Sequence, residues 1–297
     1  MIEKYGLLLL ISFIIGTMSR AFMLKIDYRQ FPSYPHSYII HLTMGMIASI
    51  LGALTLPVLL EEEYIAITFL TLAAQQFREV RNMERSSLEK IEKTEIIPKG
   101  AAYVEGISKL FEARNYLALI TSLLTSFYFY YINWIAAIVG GALTGYLLHH
   151  FMKGPLVRDI ADVKIVPLNI EGKNVGIDEV IIMNVGEQEG LDKWKEEGIG
   201  IKIIPKDENS RATLSNLGQR QTILHDLSTL MGVKLDKGMQ QYTPLARLEL
   251  DRGTLNIIII PQEPDKKFIK KAVEKIPVVE SSQRKPLKSK MGKKAAD

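Results

Sequence analysis

Hydrophobic and polar positions divide the chain near residue 154. Before it, long apolar runs alternate with charged stretches; after it, apolar residues recur in short alternating groups between turn residues. The first run, roughly 5–24, follows Lys4 and continues through Ser19, Arg20, Ala21, Phe22, Met23 and Leu24. No small-residue cleavage site interrupts it, so it reads as a retained transmembrane helix and not as a signal peptide. The second run, 37–60, is apolar apart from His41 and small hydroxyls, carries Pro57 near its end and is stopped by Glu61, Glu62 and Glu63. The third, 64–77, is short for a bilayer core of ~30 Å; it spans if its helix starts within the glutamates, and is otherwise re-entrant or interfacial. The fourth, 116–152, would be about 55 Å long as one helix. Two helices joined by a tight turn near Ile132 and Asn133 are therefore predicted, with Phe127, Tyr128, Phe129, Tyr130, Tyr131 and Trp134 as an interfacial belt.

Charge supplies the topology. With five spans, one side receives Arg20, Lys25 and Arg29, then Arg78, Arg81, Arg85, Lys90, Lys93, Lys99, Lys109 and Arg114, then Lys153 and Arg158. The other side receives Lys4, the glutamate triplet and a neutral turn. The positive-inside rule places the N-terminus outside and the C-terminal half in the cytoplasm. Without a third span the two basic loops fall on opposite sides. The expected architecture is an α-helical polytopic membrane domain of about five transmembrane helices, residues 1–154, with a central cytoplasmic loop at 78–115. A C-terminal cytoplasmic α+β domain at 155–280 and a disordered basic tail at 281–297 follow.

In the second half, Val163 and Ile165, then Val175, Ile177 and the run Val180, Ile181, Ile182 and Met183, alternate as strands around a turn at 169–172. Residues 189–197 read as a short helix and 201–204 as a strand. Residues 212–232 read as the clearest helix, capped by Asp207 or Ser210, with Leu214, Leu217, Ile223, Leu224, Leu227, Leu230 and Met231 as its buried face. Residues 245–250 and 254–260 form a hairpin around Asp251, Arg252 and Gly253. A last helix is expected at 265–275.

Composition alters this picture little. The average of 47% hydrophobic and 24% charged residues looks globular only because it blends an apolar half with a polar one. Cysteine is absent, which removes disulfides, thiolate metal sites and cysteine nucleophiles. A net charge of +4 is too small to argue for a nucleic-acid partner. No Walker loop, strand-borne GxGxxG, GxSxG, HExxH or EF-hand occurs, so no cofactor or metal is expected and a catalytic role is not indicated.

The candidate polar residues are few. His41, five residues after His36, reads as a proton relay or pore ligand, or as an interhelical hydrogen bond or a headgroup contact. His149 and His150 sit at the end of the last span, as interfacial residues or metal ligands. Gly141 and Gly145 make a GxxxG, beside Gly140, that allows close packing within the chain or a homo-oligomer. Gln219, Arg220, Gln221, His225 and Asp226 are the polar residues of interest in the second half: Arg220 suits an anion, and His225 with Asp226 suits acid–base work; the alternative is a solvated helix face. The tail lysines and arginine either attract anionic headgroups or solubilise the chain.

Before the fourth run, Pro98, Lys99 and Gly100 break the helix of the basic loop, and an amphipathic segment follows with Tyr103, Ile107 and Leu110 on one face. Its core is Tyr103, Val104, Glu105, Gly106, Ile107 and Ser108. This segment resembles the YIEGIA signature of a family of membrane proteins of endospore-forming bacteria, with Val104 for isoleucine and Ser108 for alanine. The segment 213–226 is similar to that family's C-terminal region. The resemblance covers most of residues 1–280. It implies a sporulation-linked role, a place in the cell membrane (forespore or spore membrane included) and work in a membrane complex with small protein partners; it implies no catalytic residues. On these readings the chain is a non-enzymatic membrane-complex subunit with a cytoplasmic docking or regulatory domain, or else a small channel or transporter subunit gated by that domain.

Overall fold

The structure is a computed structural model that describes residues 2–30, 38–151, 154–232 and 242–296. His36, Lys153 and the side chains of Lys25 and Arg29 lie outside the described residues. The chain forms two compact units: residues 1–88 with 107–153, and residues 89–106 with 154–297. The expected border at 154 is therefore incomplete. Residues 89–106, the middle of the anticipated cytoplasmic loop, belong with the C-terminal unit.

The first unit is helical: α1 (Ile2–Gln30), α2 (Tyr38–Leu60), α3 (Tyr64–Glu92), α4 (Ala101–Tyr131) and α5 (Trp134–Phe151), with α3 and α4 continuing into the other unit at the connection between them. Among the described residues, three stretches are long and apolar enough to cross a membrane: Glu3–Leu24, Tyr38–Leu60 and Trp134–Phe151. The expected five is reduced by α3, apolar only as far as Phe77 before charges begin at Arg78, and by α4, whose apolar stretch is bounded by Arg114 and Asn115 and ends at Tyr131. The turn between α4 and α5 falls at Ile132 and Asn133 as predicted, and the Asn133 side chain accepts a hydrogen bond from the Ala136 amide at 2.8 Å.

Small and hydroxylated residues set the spacing of this bundle. Ser122 on α4 lies within hydrogen-bond reach of the Ser12 carbonyl (2.9 Å) and the Ser49 carbonyl (2.7 Å), and Ser126 donates to Ser12 Oγ at 2.9 Å. Such contacts replace the hydrophobic driving force that apolar surroundings cannot supply. Gly52 gives α4 its approach: a Cβ there would stand 2.2 Å from the Leu119 carbonyl oxygen. Gly141 and Gly145 turn inward, against Ile15 and Thr125 and against Ser19 and Thr121. The GxxxG stripe thus packs against α1 and α4 of the same chain, the within-chain use expected for it.

The charge count also needs correction. Arg20 and Arg114, assigned to loops, are both fully buried inside helices. Lys4 and Tyr5 instead reach Glu61 at 2.6 and 2.8 Å and tie the start of α1 to the end of α2.

The second unit continues through α6 (Val157–Ile160), β1 (Ala161–Val166), β2 (Asn169–Glu171), β3 (Asn174–Ile177), β4 (Val180–Asn184), α7 (Gln188–Glu197) and β5 (Ile199–Pro205). It then runs through α8 (Glu208–Leu214), α9 (Leu217–Met231), β6 (Leu245–Glu249), β7 (Thr254–Ile259) and α10 (Lys266–Glu274). An antiparallel sheet of order β1-β5-β7-β6 stands beside a smaller antiparallel sheet, β2-β3-β4. β7 is buried along its whole length because both of its faces are covered. Leu255, Ile257 and Ile259 meet residues of α9 and α10, while Ile258 joins Trp194, Val175 and Ile177 on the other side.

Two expectations change here. The helix foreseen at 212–232 is split, because Asn216 leaves helical geometry and its side chain caps α9 by accepting from the Gly218 amide at 2.8 Å. Asp207 caps α8 by accepting from the Ser210 amide at 2.7 Å; the Ser210 hydroxyl, which also donates to it, and then that amide hold its carboxyl below the usual range. The tail expected to lack order forms short 3-10 turns at Glu280–Ser282 and Pro286–Lys288 and a helix α11 (Lys290–Ala296). It is pinned to α8 where Arg284 N meets Thr213 Oγ1 at 3.1 Å and Leu287 N meets Asn209 Oδ1 at 3.0 Å.

Gly52→Ala is expected to destabilise the detergent-solubilised chain by on the order of 2 kcal/mol, since the obstacle is backbone and cannot rotate away. Ala142→Ser, on the exposed side of α5, should leave the melting temperature unchanged. A thermal melt of both variants checks this.

Candidate functional site

α9 is buried on two sides. Ile223, Leu227 and Met231 enter the core beneath the four-stranded sheet. Thr222, His225 and Asp226 are equally buried on another side, where a solvated face was the alternative to chemistry. What covers them is the segment between α3 and α4 together with the first turn of α4. The Tyr103 hydroxyl donates to Asp226 Oδ1 at 2.8 Å across 123 positions of sequence. His225 Nδ1 meets the Ile97 carbonyl at 2.6 Å, and Gln221 Nε2 donates to the Pro98 carbonyl at 2.6 Å. The Tyr103 and His225 rings lie 5.9 Å apart.

The signature residues each have a place. Tyr103 and Val104 are fully buried and Ile107 nearly so. Gly106 leaves room for Val279, whose Cγ1 would be 3.2 Å from an added Cβ. Glu105 is half-buried and Ser108 buried. Gln219 fastens the next strand of chain by donating to the Pro277 carbonyl at 3.0 Å and accepting from the Val279 amide at 2.9 Å. Before the signature, buried Lys99 pairs with Glu95 at 2.8 Å and the Gly100 amide donates to Glu92.

The three polar residues of α9 do not form one catalytic group. At about 100° per residue, Arg220 is turned by roughly 140° from His225 and 120° from Asp226. It is half-buried, and its Nε has no hydrogen-bond partner among the described residues. His225 and Asp226 face the covering segment. Sequence reasoning singled out Tyr103 in one place and Gln219, Gln221, His225 and Asp226 in another but missed that these segments meet, and it read Lys99 only as a loop charge beside a helix break. Strong helix formers at 89–93 and a proline–glycine break concealed a segment that folds against distant chain.

In the helical unit, His41 Nδ1 stands 3.1 Å from the Arg20 guanidinium, and its ring meets Phe111 edge-on at 4.7 Å. The Arg20 stem lies in the space left by Gly45. His41 therefore makes an interhelical contact; His149 and His150 join no cluster of three or more potential metal ligands among the described residues.

A bundle with, among the described residues, three helices long and apolar enough to cross a membrane, and an α+β unit that includes part of the helical connection, define a membrane protein of two units. The chain belongs to the YIEGIA family: the profile described as "YIEGIA protein" matches residues 8–289. It is 40% identical over 273 residues to "Uncharacterized protein YphB" of Bacillus subtilis (strain 168), covering 92% of both chains. No solved structure matches.

Burial, the largest cause, holds the His225 pKa below its ordinary 6.5, and Lys99 adds to this against the Ile97 hydrogen bond and the Glu95 and Glu92 charges. The unfolded chain then binds the proton more readily than the folded one. Stability is unaffected above the unfolded value and falls as pH drops below it. Melting temperature should fall between about pH 7 and about pH 5.5, and His225→Gln should flatten that window. Tyr103→Phe should lower stability by about 2 kcal/mol, because Asp226 Oδ1 loses its donor. A double-mutant cycle with Asp226→Asn should return a coupling of about 1 kcal/mol or more.

Proposed function

We propose that this protein is a non-enzymatic, multi-pass subunit of a sporulation-associated membrane complex, whose cytoplasmic α+β unit serves as a docking or regulatory module. The observation that carries the reading is the Tyr103–Asp226 hydrogen bond: the signature residues hold the α3–α4 connection inside the C-terminal unit and do not assemble a reactive site. Family membership supports a shared task. In this reading α3 and α4 complete five spans, with the N-terminus outside and the C-terminal unit in the cytoplasm of the cell, forespore or spore membrane. Ser122 of α4 beside both Ser12 and Ser49 supports a membrane place for α4, since two spanning helices flank it. The exposed basic residues Arg78, Arg85, Lys90 and Lys93 support the sidedness.

Affinity purification in mild detergent should retrieve stoichiometric protein partners; a consistently solitary chain would overturn the complex. Deletion in the source organism should leave growth normal and impair sporulation or germination, and unimpaired spores would remove the sporulation link.

A second reading is a small channel or transporter subunit, favoured by the buried Arg20–His41 pair within the apolar bundle. Liposomes containing the purified chain should then show ion flux that His41→Ala reduces; absence of flux under every gradient would count against it.

A further inference from the structure

We infer that the exposed face of α10 docks on an anionic phospholipid surface. Ile269, Ala272 and Val273 turn inward to the core. The remaining surface carries Lys266, Lys267, Lys270, Lys271 and, just beyond the helix, Lys275, with Phe268 among them and 46% exposed. Glu274, the one carboxylate within the helix, lies 3.8 Å from Lys270; with Asp265 at its start and Lys275 at its end counted, three lysines remain in excess.

Stability does not account for these lysines. Lys266 and Lys267 occupy the first turn, where the helix macrodipole is positive and cations are unfavourable. Asp265 offsets them by capping the Lys267 and Phe268 amides at 2.8 and 3.2 Å. A helix that keeps lysines at its positive end and an aromatic in water has the composition of an interfacial amphipathic helix. Its positive surface continues into a neighbouring groove, where Arg158 and Lys164 line the wall with Lys270; Asp162 and Glu274 are the acids there. The same chain carries, among the described residues, three helices long and apolar enough to cross a membrane. A bilayer surface is therefore held at high local concentration, and each lysine need contribute only a modest attraction.

The absence of cysteine allows a direct test on the full chain. Phe268→Cys carries a bimane, an apolar fluorophore that replaces the ring, and Glu189→Cys on α7 carries the same label as a reference. Both are placed in nanodiscs of phosphatidylcholine, alone or with phosphatidylglycerol, containing lipids with a quencher near the headgroup. Quenching at 268 is expected to be about threefold greater in the anionic discs and to fall to the neutral level at high salt. The reference label should not respond. Lys267→Glu with Lys271→Glu should abolish the difference while melting temperature stays within a few degrees of wild type, which separates lost docking from lost folding. Equal quenching in both lipids, at either level, would overturn the inference, as would its persistence in the charge-reversed variant.

Discussion

A carboxylate with no exposed surface requires a donor, and the first donor to Asp226 arrives from 123 residues earlier in the chain. Burying such a group without compensation costs several kcal/mol, and the Tyr103 hydroxyl contributes to that compensation where α9 lies. From that constraint the second unit follows. α9 presents apolar residues to the sheet and polar ones to residues 95–103. Gln219 then secures Pro277 and Val279, and Val279 packs against the space that Gly106 leaves. The signature thus reads as a set of physical requirements: a hydroxyl at Tyr103, apolar bulk at Val104 and Ile107, and no side chain at Gly106.

The helical unit meets a different constraint. Apolar side chains do not discriminate between a neighbouring helix and lipid, so close backbone approach and hydrogen bonds must specify partners. Gly52 and Ser122 do this between α2 and α4, Gly141 and Gly145 between α5 and its neighbours α1 and α4, and Gly45 where the Arg20 stem passes. Arg20 and His41 then share a contact that neither would make alone in hydrocarbon. A buried cation of this kind is costly to keep, which is why it bears on function more than the surrounding leucines do.

Legibility followed the range of the interactions. The turn at Ile132 and Asn133, the β6–β7 hairpin and the extent of α2 were readable because periodicity and turn residues act locally. The break at Asn216 was not, since Ser215 and Asn216 sit inside a pattern that remains helical in its apolar spacing. Counting Arg20 and Arg114 as loop charges failed because the count takes charge as a mark of helix ends, whereas both are enclosed by neighbouring helices. The same limit applies to His225 and Asp226. Their burial depends on a cover from another part of the chain, and no local pattern announces it. The tail likewise looked unstructured from its lysines, but its order comes from Thr213 and Asn209 on α8.

α9 and α10 lie on the same side of the four-stranded sheet and contribute to one core, yet they use polar residues in opposite ways. On α9 the polar groups point into the protein and are matched by the α3–α4 connection, so changing them alters the fold. On α10 they point outward, two of them against the helix dipole, so changing them leaves the core untouched. A unit built this way can keep its own chain assembled through one helix while a neighbouring helix engages something outside. On the proposed docking of α10, recognition falls to the lysine face and the signature is a requirement for the unit that presents it.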